Sequence, residues 1–236
     1  MLEQFDHVFF DLDRTLWDFE VNSRLTLEEI YTELNLQQRL GVPFDVFVPE
    51  YHRINDLFWQ QYRDGIIDKE GLRHARFEAA FRFFGADEPL IAEKMGSAYV
   101  ERSPRRTALV DGTSELLRHL VHLGVPMSII TNGFDEVQHL KMQASGIAHC
   151  FKHVLTSEMV GVRKPHPHIF SHALAVTGTR PDKAVMVGDH YEADIEGALQ
   201  AGWHAVYLLP SGDMPESHPR LKVIRSLREL LPEIEK

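Results

Sequence analysis

A doubly wound α/β fold carrying a helical insert is the architecture this chain predicts, and three observations carry it. Short apolar segments alternate with amphipathic helical stretches through the second half of the sequence. One further segment of the same kind stands alone near the N-terminus, at residues 8–12. Between it and the others lies a long stretch with helical periodicity only, running from about Trp17 to Arg106.

The strand candidates are residues 8–12, 127–131, 153–156, 184–188 and 205–209. Each is rich in Val, Ile, Phe or Met without polar alternation, the composition of parallel strands buried on both faces. Helical patterns at 113–123, 136–145, 168–176 and 192–201 connect them, which is the rhythm of right-handed crossovers in one sheet. In the insert, Phe47, Tyr51, Ile54, Phe58 and Tyr62 recur every three or four residues, and Leu72, Ala75, Ala79 and Phe83 do so again after Gly65. The expected organisation is therefore a core of residues 1–16 with 107–236 and a helical cap of residues 17–106, joined by linkers near 16–20 and 103–110.

Composition narrows the function. With 236 residues, 44% of them hydrophobic and 25% charged, the chain can bury a continuous core, and disordered, collagen-like and coiled-coil classes are excluded. A net charge of −10 opposes binding to a nucleic-acid polymer but admits one small anionic ligand. No run of 18 apolar residues occurs, and Glu3 and Asp6 precede any signal-like region, so the protein is expected to be cytoplasmic and not membrane-bound. Cys150 is the only cysteine, which excludes an internal disulfide and a multi-cysteine zinc site. The fourteen histidines form no HExxH or paired-finger spacing.

Ligands of a doubly wound sheet bind beyond the carboxyl ends of its strands, and chemistry-bearing residues gather there. The first strand runs into Asp11 and Asp13, two carboxylates on one side of an extended chain. Like charges so placed call for a cation, and Mg²⁺ suits one or two carboxylates plus a phosphate. Strand-end acids in water are the plainer reading of such a pair. Thr131-Asn132-Gly133 ends the second strand, Lys164 stands before Pro165 in a loop, and Asp189 ends the fourth strand with Asp194 near the next helix start. Alone, these read as a turn, a loop lysine and a helix-terminal acid.

Together and in this order, Asp11 and Asp13, Thr131, Lys164, and Asp189 with Asp194 resemble the four motifs of the haloacid dehalogenase-like hydrolase superfamily, and the helical insert resembles that superfamily's first type of cap. The resemblance implies a Rossmann-like core and a phosphotransferase with Asp11 as nucleophile and Asp13 as acid and base, Asp13 having a raised pKa while Asp11 stays ionised. It implies that Thr131 and Asn132 donate to the phosphoryl group and that Lys164 neutralises it. Mg²⁺ would be held by Asp11, the Asp13 carbonyl and Asp189, with Asp194 orienting Lys164 or a metal-bound water. Arg14 departs from the pattern, since many members have Gly there.

Within the superfamily the chain resembles the pyrimidine 5′-nucleotidase subgroup. The matching residues are 13–19, Ile54-Asn55 and Leu57, Leu72-Arg73 with Arg76-Phe77, and Thr131-Asn132-Gly133 followed by Glu136-Val137-Gln138. A nucleoside monophosphate is the implied substrate, with Trp17 and Phe19 either stacking on its base or pinning the linker. A sugar-phosphate phosphatase or phosphomutase is the alternative. A metal-free dehalogenase fits less well, because that branch lacks the second Asp.

Overall fold

Segments apolar on both faces are stable only inside a sheet covered on both sides, and the chain forms such a sheet. The computed structural model describes residues 2–232. Its strands are β1 (His7–Phe10), β2 (Met127–Thr131), β3 (His153–Thr156), β4 (Ala184–Gly188), β5 (His204–Leu208) and β6 (Leu221–Ile224), all parallel, in the order β3-β2-β1-β4-β5-β6. The chain runs outward from β1 through β2 to β3, then returns to lay β4 against the other side of β1. That reversal opens the ligand crevice of such sheets between the ends of β1 and β4, where Asp11 and Asp189 follow.

Two strand readings are corrected. The first strand ends at Phe10: Asp11 N–H still donates to the Val187 carbonyl at 2.9 Å, after which the chain leaves the ladder and Leu12 turns into the core. β6 has no counterpart among the expected segments, because it is an edge strand in which only Ile224 is fully buried and Lys222 is exposed.

Ten helices accompany the sheet among the described residues: α1 (Phe19–Glu33), α2 (Leu36–Leu40), α3 (Phe44–Arg63), α4 (Lys69–Phe83), α5 (Pro89–Arg102), α6 (Thr113–His122), α7 (Asp135–Ala144), α8 (Ser157–Val160), α9 (Pro167–Thr177) and α10 (Gly197–Gln200). Phe10, Val187 and Val206 pack with Leu116 and Leu120 of α6 and Met142 of α7, whereas Phe9 and Met186 pack with Ile169 and Phe170 of α9 and Ala198 of α10. Neighbouring residues of one strand thus feed opposite apolar layers, which makes the fold doubly wound. The expected helix at 192–201 divides: residues Tyr191–Glu196 form a wider π turn that places Asp194, and only then does α10 begin. Among the described residues no helix is long and apolar enough to cross a membrane.

The chain divides into two compact units, residues 1–19 with 107–236 and residues 20–106. The boundary expected at residue 17 falls after Phe19. Trp17 N–H donates to the Leu12 carbonyl at 2.8 Å and Asp18 N–H to the Ala108 carbonyl at 3.0 Å, so this stretch is tied into the sheet unit. Inside the helical unit, Phe47, Tyr51 and Ile54 of α3 meet Phe77 and Phe81 of α4 and Tyr99 of α5. The stripe expected on α4 is out of phase: Leu72, Arg76, Phe77, Ala80 and Phe81 are buried, while Phe83 is exposed. Arg76 is the reason, a charged residue occupying an apolar position. Its guanidinium lies against the Phe77 and Tyr99 rings and donates to Asn55 Oδ1 at 2.6 Å.

His7 on β1 has a consequence for acid stability. It is buried, stacked on Phe9, and shares a hydrogen bond of 2.8 Å with Ser128 Oγ. Burial first, then the charges of His153 and Lys152, push its imidazole down to about 4. An unfolded chain takes up this proton near pH 6.5, so unfolding binds a proton between there and pH 4, and stability falls as pH drops through that window. His7→Leu should flatten this part of the stability curve, read by denaturant melts at pH 7 and pH 5. An unchanged slope would assign the effect elsewhere.

Candidate active site

Three strand ends and one loop converge on Lys164. Only 2% exposed, its ammonium donates all three of its protons: to Asp11 Oδ1 at 2.7 Å, to Asp194 Oδ1 at 2.6 Å and to the Ile130 carbonyl at 2.7 Å. Burial alone would lower the Lys164 pKa, but the Asp11 and Asp194 carboxylates hold it above its usual value. Asp194 is itself fixed by the His190 N–H, which donates to its Oδ2 at 3.0 Å. Gly188 makes room for it, since a Cβ there would stand 2.4 Å from Asp194 Oδ2.

Asp11 is buried at the mouth of β1. Burial pushes its carboxyl well up, the Lys164 ammonium pulls it down, and Asp194 and Asp189 push it up again. The resemblance implied that Asp11 stays ionised; in the structure that charge is costly and leans on Lys164. Asp189 is in similar straits. Burial and then the Asp194 charge raise it to about 7, against Arg14, a 3.1 Å hydrogen bond from the Thr15 hydroxyl, and Lys164. Carboxylate oxygens of Asp11, Asp189 and Asp194 lie within 4.8 Å of one another. Three oxygen donors so close, two of them with their charge disfavoured, have the chemistry of a hard divalent cation site.

Asp13 faces elsewhere. Its Oδ1 accepts from Lys141 Nζ at 2.6 Å and its Oδ2 from Gln138 Nε2 at 2.9 Å, both on α7. The structure brings Thr131 to this group, for Gln138 Nε2 also donates to Thr131 Oγ1 at 2.7 Å. Asn132 has a task the sequence did not suggest: its Nδ2 donates to the Lys164 carbonyl at 3.0 Å and its Oδ1 accepts from the Lys164 N–H at 2.8 Å. Its carboxamide clamps the lysine loop and positions Lys164 from both sides of the peptide chain.

Sequence reasoning gave Thr15 and Gln138 only as part of the subgroup resemblance, without a role, and missed Lys141. A polar pair one turn apart on a helix face that should be apolar was the available signal, and surface placement is the commoner meaning of such a pair. Arg14 adopts φ 64, the left-handed region that Gly enters freely and other residues enter at about 1 kcal/mol or more. Its guanidinium sits 4.5 Å from the Phe19 ring centroid, so the side chain is stacked and one face of Phe19 is taken.

Trp17 is fully buried in the sheet unit, with the Lys141 ammonium 4.4 Å from its ring centroid. Base stacking by Trp17 is therefore corrected: the indole packs in the core and faces a cation of the protein itself. Trp17→Ala should cost about 3 to 5 kcal/mol of stability and leave KM for a nucleotide and for a small ester shifted alike. A selective rise in KM for nucleotides in a variant of unchanged stability would restore the stacking role.

The sequence pattern of the haloacid dehalogenase-like hydrolases matches residues 5–202. The pyrimidine 5′-nucleotidase YjjG of Escherichia coli is 30% identical over 235 residues, covering 96% of each chain. A glyceraldehyde 3-phosphate phosphatase of Methanopyrus kandleri is also 30% identical, over 215 residues, covering 90% of this chain and 87% of that one. The solved structure of the HAD-hydrolase YfnB from Bacillus subtilis, bound to magnesium, shares the fold with a TM-score of 0.84 at 24% identity, covering 96% of this chain and 97% of the other. Sheet order, the strand-end residues and these relationships agree: the chain belongs to the haloacid dehalogenase-like hydrolases and is a phosphoric monoester hydrolase of that family.

Proposed function

We propose that the chain hydrolyses nucleoside 5′-monophosphates through an aspartyl-phosphate on Asp11, with Asp13 moving the protons. The observation that carries the mechanism is the buried ammonium of Lys164 between Asp11 and Asp194 at the reversal point of the sheet. Lys164 holds one oxygen of Asp11, leaving the other carboxylate oxygen to attack phosphorus in line. As the P–O ester bond breaks, its electron pair goes to the ester oxygen, which takes a proton from Asp13 and leaves as the alcohol. Asp13 then takes a proton from water, the water oxygen attacks phosphorus, and the P–O bond to Asp11 breaks with its electrons returning to the carboxylate. Inorganic phosphate is released.

Thr131 donates to the phosphoryl oxygens. Its Oγ1 already accepts from the Gly133 N–H at 3.1 Å and from Gln138, so the hydroxyl proton is what remains to give. Lys164 acts by charge, all three of its protons being committed. Asp11, Asp189 and the Asp13 carbonyl would hold Mg²⁺, which when bound supplies positive charge for the phosphoryl oxygens and relieves the crowding of carboxylates. Asp194 fixes Lys164 and completes the acidic group.

The nucleotide assignment rests on the stretches 13–19, 54–57, 72–77 and 131–138 and on the pyrimidine 5′-nucleotidase relative. A sugar-phosphate phosphatase is the second reading, favoured by the equally similar glyceraldehyde 3-phosphate phosphatase. Phosphate release measured over a panel of nucleoside monophosphates and sugar phosphates decides between them. The expected result is the highest kcat/KM on a pyrimidine monophosphate, loss of activity in EDTA and recovery with Mg²⁺. Preference for a sugar phosphate would move the assignment to the second reading, and full activity in EDTA would remove the metal.

A further inference from the structure

Helix α7 contributes no residue to the four strand-end motifs, yet two of its side chains grip the residues on which the proposed chemistry depends. Gln138 and Lys141 stand one turn apart and point the same way. Gln138 is fully buried and Lys141 is 7% exposed, which for a lysine calls for a reason. That reason is Asp13. Lys141 Nζ meets Asp13 Oδ1 at 2.6 Å and Gln138 Nε2 meets Oδ2 at 2.9 Å, so each carboxylate oxygen has one donor. The second lone pair of each oxygen stays open, and the Asp13 side chain remains 30% exposed.

The orientation of Gln138 follows from its partners, because against an ionised Asp13 the flipped carboxamide would set its oxygen against a carboxylate oxygen. As placed, the NH₂ group uses both hydrogens, one on Asp13 and one on Thr131 Oγ1. Its Oε1, by contrast, is buried without a hydrogen-bond partner. An orphaned buried acceptor costs stability, so the residue serves for its donor end. Gly133 belongs to the same arrangement: a Cβ there would lie 2.3 Å from Gln138 Nε2. The helix itself is held from below. Glu158 Oε2 accepts from the Asp135 N–H at 2.8 Å, and the Thr156 hydroxyl donates to Asp135 Oδ1 at 3.0 Å. The face of the Trp17 ring gives the Lys141 ammonium its remaining support.

We infer that Gln138 and Lys141 are positioning residues: they hold the Asp13 carboxyl at the leaving oxygen and, through Gln138, turn the Thr131 hydroxyl proton outward. This rests on the reading of Asp13 as the proton-transfer group. Its consequence is a dependence on the leaving group. An alkoxide needs a proton from Asp13 to depart, whereas p-nitrophenolate leaves as a stable anion. Because kcat/KM covers only the steps through formation of the aspartyl-phosphate and release of the alcohol, it isolates this proton delivery from the later attack by water.

The test compares kcat/KM for a nucleoside monophosphate and for p-nitrophenyl phosphate, with Mg²⁺ present, in the full chain and in Lys141→Met, Gln138→Met, Lys141→Arg and Asp13→Asn. Misplaced general acids lose on the order of 10²-fold. We expect Lys141→Met to fall by about 10 to 100-fold on the nucleotide and by less than about 3-fold on the aryl ester, and Gln138→Met, which also frees Thr131, to fall on both esters but about 10-fold further on the nucleotide. Lys141→Arg, which keeps charge and donor, should stay near the parent. Equal losses on both esters, or no loss on either, would overturn the positioning role. If Lys141→Met does not fold, the Gln138→Met ratio decides alone, since that variant removes no charge. The Asp13→Asn arm separates the two failures: if it keeps nucleotide activity, the reading of Asp13 falls and the inference with it; if it loses that activity while the α7 variants show no leaving-group effect, only the inference falls.

Discussion

Asp11→Asn should abolish phosphate release from every ester while the chain folds as before. The amide matches the carboxylate in size and keeps an oxygen for Lys164 Nζ, the contact now 2.7 Å long, but it cannot attack phosphorus. Loss of a covalent nucleophile removes on the order of 10⁴-fold or more in kcat. Stability should move the other way. Burial pushes the Asp11 carboxyl up, so the folded state disfavours its ionised form and that group's contribution is lost as pH rises through its folded pKa. A neutral amide escapes this loss, and the metal-free variant should be no less stable than the parent at neutral pH. Phosphate release, acid-quench trapping of labelled phosphoryl enzyme and a thermal melt check the three parts. Label recovered on any residue other than Asp11 would defeat the mechanism.

Lys164→Met is expected to be severely damaging for folding. It removes the one cation hydrogen-bonded to both buried carboxylates, Asp11 and Asp194, and leaves the Ile130 carbonyl without its donor. Breaking a buried ion pair from one side costs about 3 to 5 kcal/mol, a large share of a domain's stability. The sign of the pH dependence follows. The orphaned carboxyls are tolerated when protonated, so the deficit against the parent should be largest at neutral and alkaline pH and should shrink on acidification. Denaturant melts at pH 7.5 and pH 5 in EDTA measure it. Added Mg²⁺ should recover part of the loss at pH 7.5 by standing in as counter-charge. A variant as stable as the parent at pH 7.5 would show that the ammonium contributes no net pairing energy.

Much of this site was legible in the chain because its placement follows from local rules. Strand composition located the ends of β2 and β4 and ran β1 two residues too far, and the crevice rule for doubly wound sheets put Asp11, Thr131 and Asp189 at one edge. Lys164 and Asp194 were legible by resemblance, and their contact of 2.6 Å agrees with one of the two tasks, orienting Lys164 or a metal-bound water, that it implies for Asp194. Orientation was another matter. Asn132 turns its carboxamide to the lysine backbone, and Trp17 turns its indole to Lys141, because each meets a partner contributed by a distant segment.

The sequence by itself determined the layers of this protein: five of its six strands, the main helices between them, and which residues follow the strand ends. Periodicity and burial are properties of neighbours in the chain, so they can be read along it. Only the tertiary structure decided the phase of α4, the edge strand β6 and the partners of Asp13. Arg76 occupies an apolar stripe because two aromatic rings and Asn55 receive it there. Gln138 and Lys141 reach Asp13 across 125 and 128 residues of chain. A buried polar group is stable only where a partner completes it, and which partner stands within 3 Å is set by the packing of helix on sheet, a distance no spacing in the sequence records.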